Sequence, residues 1–168
     1  MKKQKSKFAK VLIANRGEIA LRAVKTVKKL GLQSVAIYST ADKSSQHVLQ
    51  ADETICVGPA PSLKSYLAKN AIIHTALSLS CDAIYPGYGF LSENAEFVDL
   101  CEANDIKFIG PAADSIREMG DKSTARKVAV KNNVPVVPGS NEAYESQDEA
   151  LLAAKSIDYP LLLKARSG

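Results

Sequence analysis

Short apolar runs rich in β-branched residues recur along the chain and are separated mostly by helical patterns. Five of these runs are predicted to be strands: residues 11–14, 34–38, 53–57, 83–85 and 107–109. Strands that alternate with helices form parallel pairs, because a parallel connection needs a crossover long enough to hold a helix. The pattern therefore predicts the α/β class with a parallel sheet.

Apolar positions at three- and four-residue spacing predict helices between these strands. The first helix follows the first strand and ends at Gly31, which is expected to adopt a left-handed cap. A second helix is predicted to begin near Asn70, whose side chain would accept hydrogen bonds from first-turn amides. A third follows Asn94, and a fourth runs from about Asp121 to Asn132.

A different sequence texture begins after the fourth helix. Residues 134–140, VPVVPGS, are punctuated by proline and glycine and are predicted to be extended. An acidic helical stretch over 141–156 follows, and then a fully apolar strand from Pro160 to Lys164. A hydrophobic strand needs a partner, and the sequence stops after Gly168, so we expect this second domain to be cut short.

Composition narrows the class of protein. The 168 residues are 46% apolar, which suits one packed domain or one domain and part of another. The net charge of +4 arises in the first ten residues, which hold five of the 22 basic residues and leave 17 against 18 acids elsewhere. This tail is interpreted as a solvated segment that aids solubility, with nucleic-acid binding as the lesser alternative.

The lack of a secretory signal and the spacing of the cysteines predict a reducing, cytoplasmic setting. The sequence holds neither an 18-residue apolar run nor a secretory signal, so we expect a cytoplasmic protein that binds no membrane. Cys56, Cys81 and Cys101 are an odd number without metal-ligand spacing. They are predicted to be small, reduced, buried thiols.

The first stretch with a chemical signal follows the first predicted strand. Residues 15–18, Asn-Arg-Gly-Glu, place a cation, one flexible residue and an acid at the carboxyl end of that strand, where open α/β sheets bind ligands. A dinucleotide site is not indicated, because its turn needs three glycines. The alternative is helix capping, in which Asn15 ends the strand and Glu18 pairs with Arg22 four residues on.

A second stretch, YPGYGFLSEN at 85–94, follows the fourth predicted strand. Its glycines allow the backbone to approach a ligand closely, and Tyr88 offers a flat apolar face with a hydroxyl group. Loops at this edge of a sheet often carry function, so the loop is a candidate binding site. The alternative is a rigid strand-to-helix turn whose aromatic rings lie in the core.

Two lysines stand where a phosphate could bind. The segment Gly120-Asp121-Lys122 lies at a predicted helix start, where the amides and the helix dipole favour an anion. Lys164 ends the last apolar strand, and it either snorkels to solvent or points at a phosphate held by a glycine-rich turn that would follow. Each lysine taken alone is weak evidence for a phosphate site.

Several segments together identify a family resemblance. They are NRGEIA at 15–20, ADE at 51–53, GPAP at 58–61, SYL at 65–67, PGYGFLSEN at 86–94, FIGP at 108–111, MGDK at 119–122 and KA at 164–165. In this order, from about Lys10 to Ala165, they closely resemble biotin carboxylase. Two positions depart from the family pattern: Tyr85 stands where many relatives have histidine, and Arg166 stands where the family has a small residue.

The resemblance implies a Rossmann-like parallel sheet, the N-terminal or pre-ATP-grasp domain of the family, followed by the start of an ATP-grasp domain. The expected boundaries are a basic tail over 1–9, the first domain over 10–117 and a truncated ATP-grasp domain over 118–168.

The resemblance also implies roles for individual residues. Lys122 and Lys164 match the two family lysines that bind ATP phosphates. Tyr88, with Gly89 and Phe90, matches the loop that forms one wall of the biotin site. No catalytic residue and no metal ligand is expected among the 168 residues, because the family's metal-binding acids, bicarbonate-binding arginine and catalytic glutamate occur later in the sequence.

The implied activity is ATP-dependent carboxylation of biotin with bicarbonate, a carbon–nitrogen ligase reaction that also uses Mg²⁺. The biotin is carried on a partner, the biotin carboxyl carrier protein, and a carboxyltransferase acts next. The full-length subunit is expected to form a homodimer, and this chain alone is expected to be inactive. Among acetyl-CoA, propionyl-CoA, methylcrotonyl-CoA and pyruvate carboxylases, the acetyl-CoA enzyme of fatty acid biosynthesis is our first expectation.

Two other functions stay open at this point. A stand-alone binding or assembly module would keep the sheet and its loop but would not need Lys164. Another ATP-grasp ligase would keep both lysines but not the Tyr88-Gly89-Phe90 sequence. The presence of both sets favours biotin carboxylase.

Overall fold

The computed structural model describes residues 8–139, 144–155, 157 and 160–163. The chain divides into two units, residues 1–113 and residues 114–168. Two sequence positions singled out above, Lys164 and Arg166, lie outside the described residues, as does the basic tail before Phe8.

The first unit contains a five-stranded parallel sheet in the order β3-β2-β1-β4-β5. Its strands are β1 (Lys10–Ile13), β2 (Gln33–Ser39), β3 (Glu53–Gly58), β4 (Ala83–Tyr85) and β5 (Lys107–Phe108). The chain builds β1, β2 and β3 outward in one direction and then returns to place β4 and β5 on the other side of β1. The predicted α/β class and parallel sheet are confirmed, and every strand end lies within one residue of its predicted position.

Seven α-helices occur in the described part of the chain, together with 3₁₀ turns at Thr40–Asp42 and Ser62–Lys64. The helices are α1 (Gly17–Lys29), α2 (Gln46–Gln50), α3 (Lys69–Ser78), α4 (Ala95–Ala103), α5 (Ala113–Gly120), α6 (Lys122–Lys131) and α7 (Gln147–Ala154). The sequence pattern missed α2 and α5. Helix α2 has only five residues, so few apolar positions repeat within it.

The central strands are buried on both faces, which explains their continuous apolar sequence. Three successive side chains of β1 and three of β2 are at most 2% exposed: Val11, Leu12, Ile13, Val35, Ala36 and Ile37. Val11, Ile13 and Ala36 pack in one core cluster with four residues of helix α1: Ala20, Ala23, Val24 and Val27. Each fully buried valine, leucine or isoleucine side chain contributes about 1.5–3 kcal/mol, so this core carries much of the stability of the unit.

Two predicted helix ends are present in the structure. Gly31 follows α1 with a φ of +76°, the left-handed conformation expected of it. Asn94 precedes α4, and its side-chain oxygen accepts a hydrogen bond from the Phe97 amide at 2.8 Å. Both residues act through backbone conformation or a local hydrogen bond, which sequence patterns can indicate.

The predicted cap of α3 is wrong. The helix begins at Lys69, so Asn70 lies inside its first turn, and the cap position is Ala68 without a side-chain hydrogen bond. A backbone turn leads into the helix instead, in which the Ala68 amide donates to the Ser65 carbonyl at 3.0 Å. The preceding 3₁₀ turn therefore sets the start of α3.

The second unit departs from the prediction in its last strand. Helix α7 occupies part of the stretch predicted to be helical over 141–156, and Ser146 caps it through a 3.3 Å bond from the Glu149 amide. Residues 160–163 form no strand, and Lys164 at its predicted end is outside the described residues. A strand requires ladder hydrogen bonds to a neighbour, and no described residue pairs with this segment.

The cysteines are only partly as predicted. Cys81 and Cys101 are buried, and burial raises the pKa of their thiols to about 11 and about 12. Cys56 is exposed, because it lies on β3 at the edge of the sheet, where alternate side chains face solvent. No helix in the described ranges has the length and hydropathy needed to cross a membrane.

Candidate functional site

The carboxyl ends of β1 and β4 lie side by side at the point where the strand order reverses. Such a reversal opens a crevice in α/β sheets, and ligands bind there. The residues that leave β1 and the loop that leaves β4 line an open pocket of about 470 Å³. The lining residues are Asn15, Arg16, Gly17, Glu18, Ile19, Tyr88, Gly89 and Phe90. The structure thus brings together the first two stretches that carried a chemical signal in the sequence.

Asn15 joins the two sides of this pocket. Its side chain is fully buried, and its amide nitrogen donates to the carbonyl oxygens of Pro86 at 2.7 Å and Tyr88 at 2.9 Å. Its side-chain oxygen accepts from the Arg16 amide at 2.8 Å. Each polar atom of the Asn15 side chain is thereby hydrogen-bonded. Asn15 ends the strand and also holds the Tyr88 loop against it through contacts distant in sequence.

Gly87 allows the loop to approach Asn15 closely. Its φ is +69°, and a Cβ atom at this position would lie 2.6 Å from Cγ2 of Ile19 and 2.9 Å from Nδ2 of Asn15. Both separations are shorter than real Cβ contacts. Only glycine therefore fits at this point without moving the turn after β1 or the loop after β4.

Neither Tyr88 nor Phe90 in the loop is a buried core residue. Tyr88 is 62% exposed and Phe90 is 36% exposed. These exposed fractions disfavour the alternative in which the loop is only a rigid turn whose aromatic rings lie in the core. A pocket bounded by two partly exposed aromatic rings and a guanidinium suits a flat ligand with polar edges.

Arg16 and Asp42 form the main ion pair of the site. The Nε and Nη2 atoms of Arg16 donate to the two Asp42 carboxylate oxygens at 2.8 Å and 2.5 Å. Asp42 is 7% exposed, whereas the Arg16 side chain is 49% exposed, so the guanidinium reaches solvent at the pocket rim. The hydrogen bonds from Arg16 hold the pKa of Asp42 well below its usual range, and the same pair raises the pKa of Arg16.

The pairing of Glu18 with Arg22, which belongs to the helix-capping alternative, is absent. The ion pairs of the described residues include none between these two side chains, and Arg16 pairs with Asp42 instead. Arg16 has a bidentate partner in a buried carboxylate, which is a stronger interaction than an exposed pair on one helix face.

Tyr66 is a second residue of this site that the sequence analysis did not assign to it. Its ring is 1% exposed, and its hydroxyl donates to Oδ2 of Asp42 at 2.6 Å and accepts from the Ser39 amide at 2.8 Å. Burial raises the pKa of Tyr66, with the nearby Asp42 carboxylate as a further cause. The signal available in the sequence was only its membership of the SYL segment at 65–67.

The second unit holds the other residues proposed from the sequence. Lys122 is the exposed first residue of α6, and Asp121 caps that helix by accepting from the Thr124 amide at 2.8 Å. Arg126 on the same helix donates to the carbonyl oxygens of Val137 at 2.6 Å and Gly139 at 3.3 Å, which ties the segment after α6 to the helix. The described residues form no group of three or more His, Cys, Asp or Glu side chains suited to a metal ion.

Two protein families match this chain. Residues 7–116 match the family described as biotin carboxylase, N-terminal domain, and residues 121–168 match the family described as carbamoyl-phosphate synthase L chain, ATP binding domain. The first match contains every residue of the pocket described above.

Individual relatives show the same likeness. The chain is 54% identical over 164 residues to biotin carboxylase of Haemophilus influenzae and 52% identical over 159 residues to biotin carboxylase 2, chloroplastic, of Populus trichocarpa. It is also 52% identical over 161 residues to methylcrotonoyl-CoA carboxylase subunit alpha, mitochondrial, of Mus musculus. These alignments cover 95%, 95% and 96% of this chain but 36%, 30% and 22% of the relatives, so the chain spans about a third or less of their length.

Solved structures agree with these relatives. A biotin carboxylase from Campylobacter jejuni, described as a β-γ-ATP complex, superposes with a TM-score of 0.92 at 48% identity. The match covers 96% of this chain and 36% of the solved chain. The biotin carboxylase domain dimer of Hydrogenobacter thermophilus 2-oxoglutarate carboxylase, in complex with MgADP, ADP and bicarbonate, gives a TM-score of 0.91 at 47% identity. That match covers 96% of this chain and 35% of the solved one.

Proposed function

This chain belongs to the biotin carboxylase N-terminal domain family, and on that premise we propose that it is the amino-terminal part of an enzyme that carboxylates biotin with ATP and bicarbonate. The observation that carries the proposal is the pocket at the reversal of strand order. There the NRGEI turn after β1 and the YGF loop after β4, both segments of the family resemblance, are joined by the Asn15 side chain. The boundaries that accompany the proposal are 1–9, 10–117 and 118–168.

The Tyr88-Gly89-Phe90 loop is assigned to one wall of the biotin site. Its exposed rings give a flat apolar surface, and the open pocket beside it leaves room for a bicyclic ring with polar edges. Formation of the carbon–nitrogen bond needs the biotin nitrogen held in one orientation. A loop that Asn15 holds in place restricts how biotin can lie against it.

The biotin assignment is tested by Tyr88→Ala in the complete enzyme that contains this chain. The KM for biotin is expected to rise severalfold while the KM for ATP changes little. Tyr38→Phe, a conservative change on β2 away from the pocket lining, is the matched control and should alter neither value. An unchanged KM for biotin would remove Tyr88 from the site.

Lys122 and Lys164 are assigned to the phosphates of ATP. Lys122 begins α6, where amide groups and the helix dipole add to its charge. Lys164, which lies outside the described residues, receives its role from the family resemblance alone. A cation near transferring phosphate offsets negative charge that builds up in the transition state.

Nucleotide titrations test the two lysines. Replacing either by alanine in the complete enzyme removes a charge-assisted contact and is expected to cost about 1.5–3 kcal/mol of ATP binding. Lys127→Ala, an exposed lysine further along α6, is the control and should bind ATP as the parent does. Parental affinity in both Lys122→Ala and Lys164→Ala would contradict the assignment.

The proposed reaction proceeds in two steps. A bicarbonate oxygen attacks the γ-phosphorus of ATP, which releases ADP and gives carboxyphosphate. N1′ of biotin then forms a bond to the carboxyl carbon, the bond from that carbon to the phosphate oxygen breaks, and the departing phosphate takes up the N1′ proton. In this chain the loop at 88–90 orients biotin and the two lysines hold phosphate oxygens. The described residues do not fit a metal site, so we assign no step here to Mg²⁺ and place it with the complete enzyme.

The partners follow from the same proposal. Biotin would arrive on a biotin carboxyl carrier protein and pass its carboxyl group to an acceptor bound by a carboxyltransferase, in a cytoplasmic homodimeric enzyme. Among the four acceptors we rank acetyl-CoA, the substrate of the carboxylase of fatty acid biosynthesis, first. Activity of the complete enzyme with carboxyltransferases for acetyl-CoA, propionyl-CoA, methylcrotonyl-CoA and pyruvate would identify the acceptor.

The 168-residue chain itself is proposed to be inactive in biotin carboxylation. It carries no assigned catalytic residue, and a charge-rich transition state needs several preorganised groups around it. Bicarbonate-dependent ATP hydrolysis with free biotin should be absent for this chain and present for a chain extended through the rest of the ATP-grasp domain. Turnover by the 168-residue chain would overturn this part of the proposal.

A further inference from the structure

We propose that Tyr66 is a positioning residue that holds the Tyr88–Phe90 loop in place through its ring contact with Phe90. The two rings are stacked, with centroids 5.2 Å apart and planes inclined by 17°. The inference rests on the proposed function only where it links the loop to biotin; the positioning itself is a property of the fold.

The Tyr66 ring is suited to this task because its other end is fixed. Its hydroxyl is hydrogen-bonded as donor to Asp42 and as acceptor from the Ser39 amide, at 2.6 Å and 2.8 Å. The whole side chain is 1% exposed, so the ring has one orientation and no solvent into which to rotate. Phe90 therefore packs on a rigid surface.

The contact between Tyr66 and Phe90 belongs to a set of contacts that joins four loops at the carboxyl edge of the sheet. Arg16 follows β1, Asp42 follows β2, Tyr66 lies after β3, and Phe90 lies in the loop after β4. The Arg16 guanidinium binds Asp42 and lies 5.9 Å from the centre of the Tyr66 ring. One continuous set of contacts thus runs from the pocket rim, through buried side chains, to the far end of the aromatic loop.

The loop needs a second support because Asn15 holds only its first part. Asn15 binds the carbonyl oxygens of Pro86 and Tyr88, whereas Phe90 is attached at its side chain to Tyr66. Phe90 has a φ of +42°, which is unfavourable for an aromatic residue and persists only where the surroundings impose it. Locally, a turn closed by the Ser92 amide, which donates to the Gly89 carbonyl at 3.0 Å, contains Phe90, and the stack on Tyr66 is the ring contact that ties this turn to the rest of the unit.

Hydrogen exchange of the loop amides in the 168-residue chain tests the positioning. Tyr66→Leu removes both the stack and the hydroxyl anchor, and Tyr66→Phe removes the anchor alone. The Ser92 and Asn94 amides, which donate to the Gly89 and Leu91 carbonyls, are expected to exchange at least tenfold faster in Tyr66→Leu and by an intermediate factor in Tyr66→Phe. Adding Phe90→Leu to Tyr66→Leu should produce no further increase, because the two changes delete one shared contact.

The control is Ile72→Ala, which truncates a fully buried side chain on α3 that makes no hydrogen bond or ring contact to the loop. Exchange is compared at equal global stability, set with denaturant. If loop exchange in both Tyr66 variants merely equals that of Ile72→Ala, Tyr66 is an ordinary core residue and the proposal is overturned. Should Tyr66→Leu fail to fold, Tyr66→Phe decides the question by the same comparison.

The complete enzyme separates this inference from the proposed function. In Tyr66→Phe the KM for biotin should rise severalfold with the KM for ATP unchanged, a split that a general loss of stability does not produce. Faster loop exchange with an unchanged KM for biotin upholds the positioning role and contradicts the biotin assignment of the loop. Unchanged exchange contradicts the positioning role, whatever the kinetics.

Discussion

The two units of this chain contain similar helices that are stabilised in different ways. In the first unit, α1 has no side-chain hydrogen bond at its N-cap but buries Ala20, Ala23, Val24 and Val27. In the second, α6 and α7 are capped by Asp121 and Ser146, and neither helix contains a buried residue in the described part of the chain. Packing therefore stabilises the first helix and local hydrogen bonds support the other two, although all three have helix-forming sequences.

The same difference applies to polar side chains. The first unit holds Asn15, Asp42 and Tyr66 in hydrogen bonds below the surface, whereas side-chain bonds of the second unit, such as those of Arg117 and Arg126, lie at exposed positions. Removing a buried partner leaves another buried group unsatisfied, while water replaces an exposed one. Substitutions in the first unit should therefore cost more, and the predictions below run from the largest expected cost to the smallest.

The largest effect is expected for Gly87→Ala. Gly87 and Gly89 have φ values of +69° and +70°, but a Cβ at Gly89 would meet no atom within 4 Å, whereas one at Gly87 would overlap Asn15 and Ile19. Gly87→Ala should lower the free energy of unfolding by about 2–4 kcal/mol, and Gly89→Ala by about 1 kcal/mol from backbone strain alone. Denaturant unfolding of the first unit measures both. Equal costs would show that close approach to Asn15 does not restrict the loop.

Asn15→Asp is expected to cost about 2–3 kcal/mol, because a carboxylate would place an acceptor against the carbonyl oxygens of Pro86 and Tyr88. Asn94→Asp is the matched control. Asn94 uses its side-chain oxygen to cap α4, and aspartate caps as well as asparagine, so no loss is expected there. Denaturant unfolding at pH 7 compares the two, and a similar loss in both would contradict the role given to the Asn15 amide.

The sequence predicted local features of this site better than its long-range contacts. The sheet followed from continuous apolar runs, and Gly31 and Asn94 act within a few residues of their own positions. Arg16 is hydrogen-bonded to Asp42, which lies 26 residues further along the chain, and Tyr66 donates to the same carboxylate across 24 residues. No local pattern encodes such pairings, because they arise only when the parallel strands bring their carboxyl ends together.

Asn15 illustrates the same limit. Strand ending and helix entry are local roles, and the sequence suggested them. The bond from its amide to the Tyr88 carbonyl spans 73 residues and depends on β1 and β4 being neighbours. The strand order had to be known before this residue could be recognised as part of the pocket.

The pH dependence of stability should distinguish the ion pairs of the two units. Asp42→Asn is expected to cost about 1.5–2.5 kcal/mol at pH 7, because Arg16 and Tyr66 both donate to the buried carboxylate. The pKa of Asp42 is lowered in the folded state, chiefly by Arg16, so its contribution is fully present above about pH 4 and is lost as the pH falls further. Unfolding free energies of parent and variant should therefore converge below about pH 4.

Asp114→Asn is the control in the second unit. Asp114 accepts from Arg117 three residues on, but its side chain is 91% exposed, and pairs of this kind contribute about 0–1 kcal/mol. The variant should show little change at pH 7 and little convergence at low pH. A parent-to-variant difference for Asp42→Asn that stayed constant from pH 7 to pH 2 would contradict the charged network at that residue.

Apart from the control variants, the smallest effect is expected for Asp121→Ala, which tests whether α6 depends on its cap. The Asp121 carboxylate accepts from the Thr124 amide, and its loss should cost the helix about 1 kcal/mol. Amide exchange in α6 should then quicken about fivefold, since this free energy corresponds to roughly that factor, while exchange in the first unit stays as it was. Asp121→Asn keeps an acceptor and should restore slow exchange. Parental exchange rates in Asp121→Ala would mean that packing supports α6 as it does α1, and the contrast between the two units would no longer hold.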